Sequence, residues 1–495
     1  MTLLDATTPV AVTAVPTGRT PQPARASWLV RHLGEAWPLK VLLLGFPIWW
    51  AAGLASFACQ LVAIPMTVQI VRRARARGGL RVPVGFGFWV LFLGWMLLGI
   101  TTLWSLAPGT EANVGASKLV GFFFRVGWYL TVTVAMLYPL SLGSRRVSSM
   151  DVARWLGNLF LVCVIGGVAG LLLPTLQFTS LTEYVIPGAR NANGFVHTLV
   201  HPSLTTYSDF LGYSQPRPKA PFLYANAWGN NLALTMPFFV YSWLSAPQRW
   251  RRFAVAPVLV VAAAPIAYSL NRGLWGALVL ITVLAAAALA RAGRFGALYG
   301  LVVALLISMI VLVASPLWAT ITLRYNTPHS NARRATVAQT VIETTAFGSP
   351  LLGFGSTRIV QGNFASIAGT GTSACQNCAA PPLGTQGFIW RLILTTGFVG
   401  TALYLLFMGA QMARHVSRRT PFAVLGAITL MTSLLLSFVY DSLESPLFIT
   451  MIAVGLMNRE RLEEQDEREA QAEVMAEAES ALDTNPGVRP AGGRQ

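Results

Sequence analysis

Residues 296–315 read GALYGLVVALLISMIVLVAS, a run without a charged side chain. A transmembrane α-helix needs about 20 consecutive apolar residues, because the bilayer core offers backbone groups no hydrogen-bonding partner. The rest of the chain is similar in character, since 54% of its 495 residues are hydrophobic and only 11% are charged. Soluble domains carry nearer about 25% charged residues. The sequence therefore predicts an all-α polytopic membrane protein.

Similar apolar runs predict the other membrane spans. Residues 39–71 are too long for one crossing, and the residues near the middle that indicate a tight turn between two short helices are Pro47, Trp49, Trp50 and Gly53. The remaining predicted spans are residues 83–105, 118–140, 152–173, 223–245, 253–270, 273–291, 387–411, 421–440 and 444–457. Together these runs predict about 12 transmembrane helices. A single crossing at residues 39–71 would leave 11 as the alternative count.

Basic residues orient the predicted spans. Twelve crossings place both termini and most arginine-rich loops in the cytoplasm, as the positive-inside rule requires. The predicted segments are a disordered cytoplasmic tail (1–38), helices 1–5 (39–173), a first long extracytoplasmic loop (174–222), helices 6–9 (223–318), a second long extracytoplasmic loop (319–386), helices 10–12 (387–457) and a charged cytoplasmic tail (458–495). Loops of such length usually carry function.

The net charge of +17 follows from membrane topology and does not indicate nucleic-acid binding. Some basic residues depart from the rule, because they fall in segments predicted to lie outside. These residues are Arg190, Arg217, Lys219, Arg272, Arg324, Arg333, Arg334 and Arg358. A basic outer face predicts an anionic ligand, such as a lipid diphosphate.

Two arginines lie where a charge in the membrane is energetically unfavourable. Arg272, in SLNRGLWGAL, lies at the junction of two apolar helices, and Arg125 lies well inside the apolar run KLVGFFFRVGWYL. A charge at membrane depth usually faces a cavity or a partner. Ligand binding is one interpretation of both. The alternatives are a purely topological role for Arg272 and, for Arg125, pairing with an acidic residue among Glu111, Asp441 and Glu444.

The second long loop contains Arg333 and Arg334 at the start of an amphipathic helical pattern that stops at a Gly/Pro turn. Arginine suits diphosphate oxygens because its planar fork donates bidentate hydrogen bonds. A solvated helix face lying on anionic headgroups is the alternative. His329 and Glu343 flank this stretch and are groups that could accept a proton.

The first long loop contains His197 and His201 at the i, i+4 spacing of a zinc pair. No carboxylate or third ligand follows in register, so no metal site is predicted. Further on, Asn226, Asn230 and Asn231 at the end of a span are candidates to bind sugar hydroxyls or to cap that helix.

Cys375 and Cys378 form a CxxC in the second loop, where oxidation is permitted, and predict a local disulfide. Cys59 and Cys163 lie in apolar spans and are interpreted as small packing residues.

Several stretches together resemble a known family. These are ANAWGNNLALTMPFF, then SLNRGLWGAL, then the arginine-led helix ending SPLLGFG, then TQGFIWRLILTTGFVGTALYLLF. Their order resembles the O-antigen ligase and polymerase family of bacterial membrane glycosyltransferases, over about residues 223–411. The resemblance implies a GT-C-like helical enzyme that transfers a glycan from a polyprenyl-diphosphate carrier to an acceptor hydroxyl, without a metal or other cofactor and with inversion.

The resemblance also implies roles for particular residues. Arg272 and Arg334 match the family's diphosphate-binding arginines. Many members carry a histidine where this chain has Gln386, and glutamine cannot serve as a general base at neutral pH. The catalytic candidates are therefore Gln386 itself, for positioning, and His329, Glu343 and Asp441 as alternative bases. The substrate-binding candidates are Arg125, Arg217, Lys219, Asn226, Arg272, Arg333, Arg334 and Arg391.

The expected partners are a polyprenyl-diphosphate-linked oligosaccharide donor, a glycan or glycolipid acceptor, and membrane lipids. The expected location is the cytoplasmic (inner) membrane, with the active site facing outward. The alternative function is a lipid-linked oligosaccharide flippase or another polysaccharide transporter. Such a transporter would tend to have two related halves, and the sequence has no obvious internal repeat.

Overall fold

The computed structural model describes residues 33–112, 114–143, 147–186, 188, 194–208, 214–325, 329–360 and 382–484. These residues are mostly helical. The helices are α1 (Trp37–Leu44), α2 (Phe46–Ala51), α3 (Ala55–Arg77), α4 (Phe86–Leu98), a 3₁₀ helix (Gly99–Thr102), α5 (Ser117–Ser141), α6 (Ser149–Leu172), α7 (Leu181–Val185), α8 (Gly194–Val200), α9 (Ala225–Leu244), α10 (Arg249–Tyr268), α11 (Arg272–Arg291), α12 (Phe295–Ala314), α13 (Pro316–Tyr325), α14 (His329–Gly348), α15 (Phe388–His415), α16 (Pro421–Ser437) and α17 (Ser445–Thr484).

Seven of the described helices, namely α3, α5, α6, α10, α11, α12 and α15, are long and apolar enough to cross a membrane. Two shorter apolar helices, Phe86–Thr102 and Pro421–Ser437, accompany them. The chain is therefore a mostly helical, multi-pass membrane protein. Helices lie in all the predicted apolar runs, and nine of them are these seven long and two shorter apolar helices. The turn predicted in residues 39–71 is at Gly53, with φ 77° between α2 and α3, whereas Pro47, Trp49 and Trp50 lie within α2.

The core of the bundle is made where helices approach closely. Helix α9 packs along α6, and a side chain at Gly157 would come within 3.0 Å of the Phe239 backbone. Phe160 and Phe239 stack across this interface with ring centroids 4.7 Å apart. Helix α17 packs against α5 and buries its first turns. Small residues at such crossings let helices approach closely enough for dispersion contacts to hold them together. In contrast, α12, the most apolar span, contributes no buried residue and lies at the periphery.

Helix α15 is kinked at Gly397, whose φ of 66° and ψ of −173° are not helical. The kink frees carbonyls that a loop from the second long segment then satisfies. The Phe354 N–H donates to the Leu394 oxygen at 2.7 Å, and the Gly355 N–H donates to the Thr395 oxygen at 3.1 Å. The stretch SPLLGFG therefore closes a break in a transmembrane helix, because irregular backbone at this depth needs protein partners.

The first long segment contains a small sheet, which the all-α prediction did not include. Strands β1 (Thr205–Ser208) and β2 (Gln215–Pro218) pair antiparallel, with Thr205 opposite Pro218. The four-residue strands are too short to leave a clear alternating pattern in the sequence. The expected helix led by Arg333 and Arg334 is present as α14. The charged tail differs from expectation at its start, since Asn458 and Arg459 are buried.

Candidate functional site

The corner between α10 and α11 places Arg272 at the first turn of α11. Asn271 caps that helix, because its side-chain oxygen accepts a hydrogen bond from the Leu274 N–H at 2.8 Å. Leu270 has a φ of 52°, the only positive value among the described non-glycine residues. Such a conformation costs roughly 1–3 kcal/mol and persists only where the surroundings impose it. The start of α11 is therefore set by a strained, buried turn.

Tyr440, in the loop between α16 and α17, binds this corner. Its hydroxyl donates to the Asn271 side-chain oxygen and accepts from the Gly273 N–H at 3.2 Å. A side chain at position 273 would clash with the Tyr440 ring. Glycine therefore allows the ring to lie directly against the start of α11.

Arg334 reaches the same ring from α14. Its guanidinium carbon lies 5.4 Å from the centroid of Tyr440, a cation–π contact. Arg272 lies within electrostatic range of both Arg334 and Tyr440. Two positive groups gathered at one tyrosine repel each other, and an anion bound between them would relieve that repulsion. The structure thus brings together the two arginines for which the sequence predicted diphosphate binding.

A second charged group follows Tyr440 directly. Asp441 forms an ion pair with Arg391 of α15, and the Arg391 Nε also donates to the Gly384 carbonyl at 3.3 Å. Burial raises the pKa of Asp441, while the positive charges of Arg391 and Arg125 act in the opposite direction. Arg391 therefore has a carboxylate partner already, and Asp441 is less available as a base than the sequence suggested.

Arg125 lies close to this pair. Its Nη2 donates to the Gly355 carbonyl at 2.6 Å, on the loop that closes the kink in α15. Among the described residues Arg125 forms no direct ion pair, although Asp441 is near enough to attract it. The predicted pairing with an acidic residue is therefore only a long-range attraction, and the guanidinium bonds that loop to α5.

Glu444 was not among the sequence-based catalytic candidates. Burial, together with the negative charge of Asp441, raises its pKa to about 7, although the positive charge of Arg391 acts in the opposite direction. The residue lines a small pocket together with Trp128, Phe222 and Ser445. In the part of the chain that the structure describes, its carboxylate has no ion-pair partner. A carboxyl group with a pKa near neutrality can exchange a proton at physiological pH.

Gln386 precedes α15 and is half-buried. The backbone beside it joins the Tyr440 loop, since the Phe388 N–H donates to the Tyr440 carbonyl at 3.0 Å. At position 387 a side chain would come within 2.8 Å of the Phe438 carbonyl oxygen. Gln386 is therefore adjacent in the structure to the loop that carries Tyr440, Asp441 and Glu444.

Several sequence candidates lie elsewhere. Glu343 is exposed on α14 and accepts a hydrogen bond from Gln339 at 2.8 Å. It lies nine positions after Arg334 in this helix, which corresponds to about 13 Å along the axis and to the opposite face. The side chains of His329, Arg324 and Arg333, and the whole of Arg190, Cys375 and Cys378, lie outside the described residues.

Two predicted outer arginines bind backbone carbonyls. Arg217 is buried, and its Nε donates to the Ser269 carbonyl at 2.6 Å, while its Nη2 reaches the Asn226 oxygen at 3.3 Å. Arg358 is almost fully buried, and its Nη2 donates to the Leu103 carbonyl at 3.0 Å and the Phe354 carbonyl at 2.9 Å. Burial lowers the pKa of Arg358 to about 10, so it stays charged at neutral pH. These contacts give both arginines a structural role.

The asparagines that the sequence singled out lie near the corner between α10 and α11. The Asn231 amide donates to the Ser445 hydroxyl at 2.9 Å, which links α9 to α17. Both polar atoms of the buried Asn230 side chain have no hydrogen-bond partner among the described residues. Asn226 does not cap α9 through its side chain, since it follows the first helical residue and contacts Arg217.

The chain matches no protein-family model and no curated protein. Lys219 is buried and lines a small cleft in the first long segment, apart from the arginines at Tyr440, and burial lowers its pKa. His201 lines the same cleft. Of the described residues, the group that could hold a metal is formed by Glu183, His197 and His201.

Proposed function

We propose that the protein is a membrane glycosyltransferase of the O-antigen ligase and polymerase type. It transfers a glycan from a polyprenyl-diphosphate carrier to an acceptor hydroxyl, without a metal. The observation that carries the proposal is the meeting of Arg272 and Arg334 at Tyr440. Two guanidinium groups from different helices, one over the Tyr440 ring and the other within electrostatic range of it, fit the two phosphates of a lipid diphosphate.

In the proposed reaction the acceptor hydroxyl oxygen attacks the anomeric carbon of the donor sugar. The bond between that carbon and the diphosphate oxygen breaks, and the lipid diphosphate leaves with the electron pair. Arg272 and Arg334 stabilise the negative charge that develops on this leaving group. A single displacement from the opposite face inverts the anomeric centre.

The hydroxyl proton needs an acceptor, and Glu444 suits this role better than the earlier candidates. Asp441 is held by Arg391, and Glu343 lies on the other face of α14 from Arg334. Glu444 is in the same loop as Tyr440, is free of an ion-pair partner among the described residues, and has a pKa near 7. Gln386, beside this loop, is proposed to position the acceptor or donor sugar by hydrogen bonds.

The membrane arrangement belongs to the same proposal. Twelve crossings in a GT-C-like bundle would place both termini in the cytoplasm and the Tyr440 loop at the outer face of the inner membrane. Seven long apolar helices and two shorter ones support a multi-pass arrangement. The basic loops support the orientation.

The test is transfer of radiolabelled oligosaccharide from a polyprenyl-diphosphate donor by the purified protein, with EDTA present. We expect Arg272→Ala and Arg334→Ala to lower the rate by about 10²–10³-fold, the usual effect of removing a group that stabilises developing negative charge. Arg251→Ala is the matched control, because Arg251 makes a similar contact with Trp250, at 5.4 Å, in the loop predicted to be cytoplasmic. We expect it to keep the wild-type rate.

Equal losses in all three variants would contradict a diphosphate site at Tyr440. The transporter alternative predicts transport of the lipid-linked glycan without its consumption. If no donor is consumed but labelled glycolipid reaches the opposite leaflet of a liposome that contains the protein, the protein moves the lipid-linked glycan and does not transfer it.

A further inference from the structure

Three potential metal ligands meet in the first long segment, although they come from two separate helices. Glu183 belongs to α7, and His197 belongs to α8, with His201 one residue beyond its end. The His201 Nδ1 lies 3.1 Å from one Glu183 carboxylate oxygen and 3.2 Å from the other. The His197 Nε2 lies 3.9 Å from the same carboxylate. All three ligand atoms lie within 4.8 Å of one another.

The histidines are arranged as a pair. Their rings stack with centroids 4.4 Å apart, because the turn of α8 continues to the His201 N–H, which donates to the His197 carbonyl at 2.9 Å. Zinc bonds of about 2.0–2.1 Å in tetrahedral geometry separate ligand atoms by about 3.3 Å. The separation of 3.1 Å between His201 and Glu183 is close to that value, and the separation of 3.9 Å between His197 and Glu183 is longer. His197 is the most exposed of the three side chains, so its ring has room to turn toward an ion.

The carboxylate is fixed in place before any ion binds. Glu183 and Ser180 form a capping box, in which the Ser180 N–H donates to the carboxylate at 3.0 Å and the Glu183 N–H donates to the Ser180 hydroxyl at 3.3 Å. The Glu183 side chain is only 2% exposed. A buried carboxylate held by a backbone hydrogen bond and facing two imidazoles is a preorganised set of hard and borderline donors.

The surroundings of α7 explain what the cluster would do. The Thr182 hydroxyl and N–H both donate to the Ala52 carbonyl, at 2.6 and 3.1 Å, beside the turn between α2 and α3. A side chain at Gly53 would clash with Ser180 and come within 2.5 Å of the Val200 carbonyl oxygen. Helices α7 and α8 therefore both pack on this turn, and a shared ion would tie them together there.

We propose that Glu183, His197 and His201 bind one divalent transition-metal ion, of which Zn²⁺ best suits two imidazoles and a carboxylate. The ion fastens the first long segment to the turn between α2 and α3. A fourth position, on the side of the partly exposed His197, remains for water or an anionic group. This inference is independent of glycan transfer. The sequence pattern does not predict this site, because the carboxylate lies upstream of the histidines and no third ligand follows them in register.

The test is binding of Zn²⁺ to the full-length protein in detergent, stripped of metal with EDTA and then freed of chelator. We expect saturable binding of one ion per chain by calorimetry, and a Co²⁺ spectrum typical of tetrahedral coordination. Glu183→Gln removes the charged ligand but keeps an oxygen for the Ser180 N–H. His197→Gln removes a partly exposed imidazole whose loss leaves the capping box intact. Each should weaken Zn²⁺ binding at least about tenfold, since even the loss of a group that only orients a ligand costs about 10–100-fold in affinity.

Glu343→Gln is the matched control, since it makes the same carboxylate-to-amide change on α14. It should bind Zn²⁺ as the wild type does. The proposal is overturned if the wild type shows no saturable binding, or if both ligand variants bind like the control, which would mean that the ion associates adventitiously. Because the measurement needs no glycan donor, its result is separate from that of the transfer assay.

Discussion

The hydroxyl and the ring of Tyr440 make different contacts, and two substitutions can remove these contacts separately. Tyr440→Phe removes the hydrogen bonds to Asn271 and Gly273 but keeps the ring under Arg334. A buried donor and acceptor left unsatisfied cost about 1–3 kcal/mol. We expect a lower thermal midpoint and a several-fold slower transfer for Tyr440→Phe, and a larger loss of transfer for Tyr440→Ala. Equal transfer rates for the two variants would mean that the ring does not position Arg334.

The pKa of Glu444, near 7, predicts the pH dependence of transfer. A general base works only when ionised, so the rate should rise with pH and level off above the pKa. At pH 6 we expect about one tenth of the plateau rate. Glu444→Gln should lower the plateau by about 10²–10⁴-fold and abolish the rise.

Glu111→Gln is the control for that profile, because Glu111 is an exposed glutamate outside the Tyr440 loop. It should keep both the rate and the pH dependence of the wild type. If the transfer rate of Glu444→Gln still rises near pH 7, a group other than Glu444 causes the pH dependence.

Among the single elements, helix α15 depends on Gly397, because this residue forms the kink against which the SPLLGFG loop packs. At Gly397 a methyl group would clash with the Leu351 carbonyl, and the backbone conformation is essentially restricted to glycine. We expect Gly397→Ala to lower the free energy of unfolding by more than about 2 kcal/mol. The measurement is thermal unfolding in detergent.

Gly409 provides the matched control within the same helix. A side chain there would meet nothing within 4 Å, and its φ is not positive. Gly409→Ala should leave stability unchanged or raise it by about 0.5–1 kcal/mol, because alanine favours the helix. Comparable destabilisation at both positions would show that the SPLLGFG loop does not depend on the kink.

For the whole molecule, the number of spans decides whether the termini share a side. Single cysteines replacing Ala14 and Ala491 in a cysteine-free chain should both resist a membrane-impermeant maleimide in intact cells. A cysteine replacing the exposed Glu343 should react. Twelve spans predict this pattern. Labelling of only one terminus would establish an odd count, in which residues 39–71 cross once.

The membrane class, the positions of the helices and the candidacy of Arg272 and Arg334 follow from the sequence alone. The physical reason is that an apolar run is a local property, and a charge beside such a run is costly wherever the helix packs. Helix α14 and the turn at Gly53 were predictable for the same reason, since their signals lie within a few residues of one another.

Only the tertiary structure decided which distant groups meet. In the folded chain Arg391 forms an ion pair with Asp441, Arg358 donates hydrogen bonds to backbone carbonyls, and Glu183 lies beside the two histidines. The tertiary structure also placed Glu444 where burial raises its pKa. These outcomes depend on contacts between segments far apart in the chain, and on the loss of water around each group, which no local pattern of residues records.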